Sequence, residues 1–537
     1  MTTTVEAVSG RVAPAVAPAL AGIVAVAAGL GVAELVAGWT GRPTPVVAVG
    51  GEVVDRVPAP VKDWAITAFG TADKVVLVAG VVVVLAAVAA AAGVLAVTHR
   101  RAGLALAAAL VAAAGLAVVG RPGSGAVDLL PTAVGGAVGL AALDQLVGRV
   151  PPRPLVAAPA RGGPDGPDSA ASRAADVAGE AQAASRRTFL RAVGLVALLG
   201  GVAAAGGRWL FGRREAVEAA RAALVLPRPL PDAVPPPGTG VDVDGAVPWR
   251  TPNDRFYRID TALSLPLVHP DEWRLRVHGL VEHEVELDLD DLVGRGLVDR
   301  WVTLTCVSNE VGGELAGNAL WTGVPVAALL AESRPRADAD MVLSTSVDGW
   351  TASTPLDVLG DGRDALLAVG MNGEPLPVRH GFPVRMVVPG LYGYVSATKW
   401  VVDLEVTRFD RAEAYWTSRG WSARGPVKTA SRIDVPRAGA PPAAGLVTVA
   451  GTAWAQHRGV EAVEVRVDEG PWQQAQLAAV PSVDTWRQWV WEWDAPRGTH
   501  RLEVRAVDGT GEAQTGEVVP PAPDGATGWH AVTVDVT

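Results

Sequence analysis

Trp301-Val-Thr-Leu-Thr-Cys306-Val-Ser-Asn-Glu-Val-Gly-Gly313 reads as an apolar strand running into a Ser/Asn/Gly-rich loop, with a thiol at the junction. Cys306 is the single cysteine among 537 residues, which excludes an internal disulfide framework, a CxxC redox pair and a multi-Cys metal site. A lone cysteine is ordinarily a small buried hydrophobe. Here the polar loop interrupts the apolar run, and a free thiol on an exported chain is open to oxidation unless a ligand holds it. A soft thiolate suits a transition metal whose other ligands come from a cofactor.

Downstream lies a second constellation, His380-Gly-Phe-Pro-Val-Arg385-Met-Val-Val-Pro-Gly-Leu-Tyr-Gly393, followed by Ser396-Ala-Thr-Lys399-Trp400. Arg385 and Lys399 flank glycine-rich turns, an arrangement that suits phosphate: arginine as a fork, lysine as a point charge. Taken alone, the pair equally fits surface ion-pair partners. The segment from Trp273 alternates like a strand, Val324–Glu332 reads as a short helix, and Arg385–Pro389 as a compact apolar strand. The pattern is α+β, with no GxGxxG or P-loop.

From about Ala444 the pattern changes to strands separated by Gly, Pro and Asp turns: Gly445–Gly451, Val463–Asp468, Trp489–Trp493 and His500–Ala506. About a hundred residues of this kind predict an immunoglobulin-like β-sandwich. Trp489, Trp491 and Trp493 alternate toward one face and are expected in its core or an interface.

The N-terminal region is of another kind. Composition is 49% hydrophobic and 19% charged, as expected when membrane segments dilute a globular part, and a net charge of −10 argues against nucleic acid as a partner. Val12–Ala33, Val75–Val97 and Ala102–Gly120 lack charge and are long enough to span a bilayer. Gly125–Leu143, with Asp128 near its start and Pro131 interrupting it, and Phe189–Phe211 complete an all-α transmembrane bundle over residues 1–211. Arginines cluster at His99-Arg100-Arg101 and from Arg149 to Arg187, which puts those segments in the cytoplasm and everything after Phe211 outside. The loop Gly38–Lys74 has balanced charge, as an outer loop should. Ser185-Arg186-Arg187-Thr188-Phe189-Leu190-Arg191 resembles a twin-arginine export signal, the route for proteins exported already folded. Of eight histidines only His99 lies near a helix, so this chain offers no paired haem ligands in the membrane. Pro151–Ser185 and Leu226–Gly240 read as linkers. The expected domains are a linker at 212–245, an oxidoreductase domain at 246–430 and a sandwich at 431–537.

Three ordered motifs between Val247 and Thr537 resemble the sulfite oxidase family of molybdopterin enzymes: the Thr-Cys-Val-Ser-Asn loop, the His380–Trp400 run and the sandwich. Thr251-Pro-Asn-Asp-Arg-Phe-Tyr257, Asn372-Gly-Glu-Pro-Leu-Pro377, Val463–Asp468 and Arg505-Ala-Val-Asp-Gly509 add to the likeness. The resemblance implies that Cys306 is the molybdenum ligand, completed by the pterin dithiolene and oxo groups. It also implies that Asn253, Phe256, Tyr257, Ser308, Asn309, His380, Arg385, Ser396 and Lys399 hold the cofactor, and that the sandwich serves dimerisation. There are departures. Ile259-Asp260-Thr261 stands where animal sulfite oxidases have Arg-Asn-His, with Arg258 one place earlier, and Trp421 replaces the tyrosine near the metal. Their haem domain has no counterpart, which brings the sequence nearer to bacterial members, some of which reduce sulfoxides. Arg258, Arg419 and Arg458 are candidates for an anion pocket.

The expectation is a membrane-anchored, extracytoplasmic molybdopterin oxidoreductase performing two-electron oxygen-atom transfer. Its catalytic residues would be Cys306, Trp421 and Arg258, and electrons would pass to a separate cytochrome- or quinone-linked partner. Oxidation of sulfite or a related sulfur compound is favoured, with reduction of an S-oxide or N-oxide as the alternative. The rival from another class is a cofactor-free surface binding or assembly module.

Overall fold

The computed structural model describes residues 6–40, 44–58, 73–120, 125–150, 187–207, 213–226, 233–262, 265–437 and 439–537, with a few isolated positions between them. The expected linker at Pro151–Ser185, Arg186 of the export signal and residues 227–232 lie outside the described residues. The chain divides into a helical unit, residues 1–213, and a second unit built from residues 214–261 and 265–537.

Five stretches of the helical unit are long and apolar enough to cross a membrane: Val16–Thr40, Val76–Thr98, Arg100–Val119, Ala126–Val147 and Arg187–Gly207. Three of them lie in the helices Glu6–Thr40, Asp73–Thr98 and Leu130–Val147, which are apolar all round rather than on one stripe, the pattern of a helix surrounded by lipid and other helices. Close packing uses small residues: Gly29 faces the backbone of Gly135, where any side chain would collide. Two expectations are corrected. Pro131 does not interrupt the fourth segment but occupies the first turn of the helix Leu130–Val147, where its missing N–H costs nothing. The Gly38–Lys74 loop contains a helix, Pro45–Arg56, started by Pro45 and by the Thr44 hydroxyl, which accepts the Val47 N–H at 3.4 Å.

In the second unit, the linker expected at 212–245 is also corrected. Arg213–Ala223 is a helix, and its Val217 is fully buried against Phe256 and Trp321. Arg221 donates to the carbonyls of Pro375 and Leu376 at 2.7 and 2.8 Å and pairs with Glu374 at 3.0 Å. Apolar burial plus a multiply bonded arginine makes this segment part of the domain.

The domain that follows contains two five-stranded sheets. Its strands are β1 (Leu275–Gly279), β2 (Val285–Leu287), β3 (Val298–Thr305), β4 (Ala316–Pro325), β5 (Met341–Ser346), β6 (Thr351–Pro355), β7 (Leu366–Met371), β8 (Glu374–Pro375), β9 (Arg385–Val387) and β10 (Val401–Thr407). One sheet has the order β2-β1-β10-β5-β6, with β1 and β10 parallel and the other pairs antiparallel. The other is the antiparallel β3-β4-β7-β8, with β9 also on β7. The expected helix appears as Val326–Ser333. β4 and β7 are buried almost throughout, so β3 and β9 are carried on a rigid platform.

The C-terminal region is β-rich. Strands β11 (Ala430–Val435), β12 (Gly445–Trp454), β13 (Val460–Val467), β14 (Gln473–Gln474), β15 (Gln476–Leu477), β16 (Arg487–Ala495), β17 (Gly498–Asp508) and β18 (His530–Val536) form two antiparallel four-stranded sheets. Val449 and Trp489 of one sheet share a core with Val463 and Val504 of the other. Trp489 and Trp493 are buried there and Trp491 packs at its edge, the core role expected from their alternation. Gln456 donates to the Thr303 carbonyl at 3.1 Å and the Thr305 hydroxyl at 2.9 Å, bracing the strand that precedes Cys306.

Candidate active site

β3 ends one residue before Cys306, whose N–H donates to the Leu315 carbonyl at 2.9 Å and whose carbonyl accepts from Asn309 N–H at 3.1 Å. The Asn309 side chain accepts the Leu315 N–H at 2.8 Å, so it shapes the loop from behind. This turns the Cys306 thiol into a cavity of about 140 Å³ within the second unit. Phe256, Tyr257, Cys306, Ser308, Arg385, Lys399 and Trp421 all line that cavity, although they come from five separate stretches of sequence.

Gly381 sets the approach of the two basic residues. Its φ of +113° lies in the left-handed region, and an added Cβ would sit about 3.1 Å from Cβ of Lys399. Arg385, on β9, is only 3% exposed. Its guanidinium donates to the carbonyls of His380 at 3.2 Å and Met386 at 3.3 Å and lies 4.9 Å over the Trp321 ring. No carboxylate pairs with it among the described residues, and burial pulls its pKa down to about 10. Lys399 Nζ donates to the Ile259 carbonyl at 2.8 Å and to Asp260 Oδ2 at 3.1 Å. Burial lowers the Lys399 pKa to about 8, against the opposing pull of Asp260.

His380 is fully buried, and its pKa falls to about 3, chiefly through burial and then through the charges of Arg385 and Lys399. Its Nε2 lies 3.1 Å from the Asn253 carbonyl oxygen, while its Nδ1 is buried without a hydrogen-bond partner. Burial pushes the Cys306 thiol up, while hydrogen bonds from Ser308 and the charge of Lys399 pull it down. Burial, with Cys306 nearby, raises the Tyr257 phenol strongly.

The remaining expected site residues sit outside the cavity wall. Asn253 donates to Glu374 and to the Met371 carbonyl, and His380 lies behind the lining. Ser396 donates to the carbonyls of Leu391 and Tyr392 and holds a tight turn. Arg258 forms an ion pair with Asp260 at 2.7 Å and does not line the cavity. Arg419 stacks 3.7 Å over Tyr415, and Arg458 pairs with Asp508 at 2.8 Å, so neither reaches the cavity. Conversely, Ser346, Asp348, Trp350, Tyr394 and Trp416 line it without having been singled out. Ser346, Asp348 and Trp350 belong to the β5–β6 hairpin, which carries no motif of its own. A tryptophan beside an Asp-Gly turn was the one local signal.

Among the described residues, no three His, Cys, Asp or Glu side chains gather to hold a metal, so a metal at Cys306 needs ligands from outside the chain. The residues present fit a molybdopterin: a soft thiol, a buried arginine without a counter-charge, a buried lysine and an unpartnered imidazole nitrogen.

The profile of the family described as "Oxidoreductase molybdopterin binding domain" matches residues 262–416. An uncharacterized oxidoreductase of Bacillus subtilis, YuiH, is 31% identical over 193 residues, covering 34% of this chain and 90% of that protein. The chain belongs to the sulfite oxidase family of molybdopterin oxidoreductases. Human mitochondrial sulfite oxidase is 30% identical over 321 residues, 51% of this chain. The chain spans only 58% of that relative's length. Among solved structures, the sulfane dehydrogenase SoxCD of Paracoccus pantotrophus aligns with a TM-score of 0.47 at 22% identity, covering 55% of this chain and 85% of that one. Family membership implies a molybdenum cofactor.

Proposed function

We propose that this chain is a membrane-anchored oxidoreductase of the sulfite oxidase type, with its catalytic domain on the extracytoplasmic side. The observation that carries the reading is the meeting of Cys306, Arg385 and Lys399 in one buried cavity with Arg385 left without a carboxylate partner. A cofactor-free module gains nothing from burying an uncompensated charge. When bound, the molybdenum cofactor supplies two-electron oxygen-atom transfer to or from a sulfur-group or related substrate.

The chain's own residues have separable roles. Cys306 provides the thiolate for the metal. Arg385 and Lys399 hold the anionic part of the pterin, and Ser308 hydrogen-bonds at the mouth of the thiol loop. Phe256 and Tyr257, stacked with centroids 5.2 Å apart, give the pterin an apolar wall. His380 presents Nδ1 as a neutral hydrogen-bonding group, while Asn253, Asn309 and Ser396 fix the loops that carry these groups. Trp421 packs against Tyr394 and Trp416 and excludes water from the reacting end. Arg258 holds Asp260 in place rather than meeting substrate. The C-terminal sheets serve as an immunoglobulin-like dimerisation domain, and a separate cytochrome- or quinone-linked protein exchanges the electrons. The segment Ser185–Arg191 acts as the export signal that delivers the folded, loaded domain.

Molybdenum and pterin content per chain of the detergent-solubilised protein tests the reading. Near-stoichiometric metal is expected, and its loss in Cys306→Ser ties it to this site. Metal absent from protein made in a host that assembles the cofactor overturns it. Sulfite and an S-oxide or N-oxide both satisfy this chemistry; the walls of the cavity decide between them.

A further inference from the structure

In the helical unit a groove of about 360 Å³ runs between the helices Glu6–Thr40 and Leu130–Val147 and the stretch Arg187–Gly207. One end is closed by small residues: Gly200 lies so near the backbone of Ala28 that any side chain at Gly200 would collide there. The wall is apolar, with Val138, Ala141, Leu195 and Leu199 along it, and the two leucines are 57% and 60% exposed. From Val138 to Leu146 that wall rises roughly 12 Å, at about 1.5 Å per helical residue. At the other end the lining turns polar, with Gln145 and Arg149. Arg149 Nη1 donates to the Gln145 carbonyl at 2.9 Å and to its side-chain oxygen at 3.4 Å, and no carboxylate pairs with this arginine among the described residues. Asp144, earlier on the same helix, is already held by Arg100 through Nε and Nη2, each at 2.7 Å. Arg191, next to the lining residue Ala192, likewise pairs with no carboxylate among the described residues. An apolar trough thus leads to positive charge that the chain leaves unpaired.

We propose that this groove is a binding site for an anionic phospholipid, which lays one acyl chain along the apolar wall and its phosphate on Arg149. The inference rests on the membrane placement proposed above and is independent of the cofactor. A lipid tail gains little by meeting leucine in place of another tail, so the wall supplies fit and the headgroup contact supplies selection. The phosphodiester matches what Arg149 leaves open: the remaining N–H groups of its guanidinium can fork onto two phosphate oxygens. A zwitterionic headgroup would also bring an ammonium, and Asp144 at this end of the helix is already paired with Arg100. Each arginine close to a lipid surface favours an anionic headgroup by about fivefold.

The test titrates the full-length protein in detergent micelles with dioleoyl phosphatidylglycerol or dioleoyl phosphatidylcholine, and native mass spectrometry reads the lipid bound. Phosphatidylglycerol is expected to bind about fivefold or more tighter than phosphatidylcholine. Arg149→Gln should erase most of that preference and leave phosphatidylcholine binding unchanged. Ala141→Phe, which fills the groove from an exposed position, should weaken both lipids. Arg101→Gln, at an exposed arginine outside the groove lining, should leave the preference in place. Glycerol 3-phosphate in large excess should not displace the lipid, because it has the phosphate and lacks the chain. Equal binding of the two lipids overturns the inference, as does a preference that falls equally in Arg101→Gln and Arg149→Gln. Binding unmoved by Ala141→Phe, or displacement by glycerol 3-phosphate, overturns it too. Washing cell membranes with alkaline carbonate tests the placement separately. Protein retained there without a lipid preference removes this inference alone, and protein released by the wash removes the placement and the inference together.

Discussion

Lys399 and Asp260 form an ion pair at 3.1 Å with side chains only 10% and 9% exposed, one partner from the loop before β10 and the other from the segment after the paired aromatics. Arg258 donates to the same carboxylate oxygen, Oδ2, at 2.7 Å. The lysine is therefore oriented toward the cavity by a neighbour that is itself held, and burial brings its titration down toward neutral pH.

That titration makes anion binding pH-dependent. The Lys399 pKa of about 8 is below the ordinary lysine value, so the native state loses this proton first. Inorganic phosphate affinity of the cofactor-free protein, measured by calorimetry from about pH 8 upward, where the phosphate is already a dianion, should fall by at most about tenfold per pH unit. Stability moves the other way. Between about pH 8 and roughly 10.4 the unfolded chain holds more protons at this site, so this residue's contribution to stability rises with pH. Lys399→Arg should flatten the phosphate profile, and an unchanged profile would remove Lys399 from the anion site.

Arg385→Met should separate stability from binding. The guanidinium is buried without a carboxylate, so a methionine of similar length relieves a desolvation cost. Thermal unfolding of the cofactor-free protein should occur at the same or a higher temperature, while phosphate affinity falls about tenfold or more. A lower unfolding temperature with unchanged phosphate binding would make Arg385 a structural residue.

Cys306→Ser exchanges sulfur for oxygen in a wall position that is 9% exposed. Stability should change by no more than about 1 kcal/mol, measured by denaturant unfolding, while molybdenum-dependent turnover is lost. Retained turnover would take the thiol out of the chemistry.

His380 links the site to acid stability. Its pKa of about 3 is below the ordinary histidine value, so the unfolded chain binds the extra proton between about pH 3 and roughly 6.5. The stability this neutral imidazole contributes is intact above that window and is lost as pH falls through it, by at most about 1.4 kcal/mol per pH unit. His380→Gln should reduce the slope of unfolding free energy against pH across the acid side of that window.

Arg186→Lys with Arg187→Lys should leave the catalytic domain in the cytoplasm, where it resists protease added outside spheroplasts. Normal external digestion of the double variant would rule out twin-arginine export and leave the basic pair as a charge-rule flank.

The five apolar stretches, the α+β character of the middle domain and the Cys306, Arg385 and Lys399 motifs are legible in the order of residues alone. Each is written in consecutive residues: a hydrophobic run as long as a bilayer is thick, alternation at a strand's period, a short string of donors around a turn. Tertiary structure decided which of the named residues face the cavity. It sent Arg258 to Asp260 and Arg458 to Asp508, and placed Asn309 and Ser396 behind their loops. It drew residues 213–223 into the domain through Val217 and Arg221, and it brought Asp348 and Trp350 to the cavity that holds the thiol of Cys306. The reason is that a side chain's partner is chosen by burial and charge across the whole fold. Lys399 and Asp260 meet although 139 residues separate them, and no local periodicity encodes such a meeting.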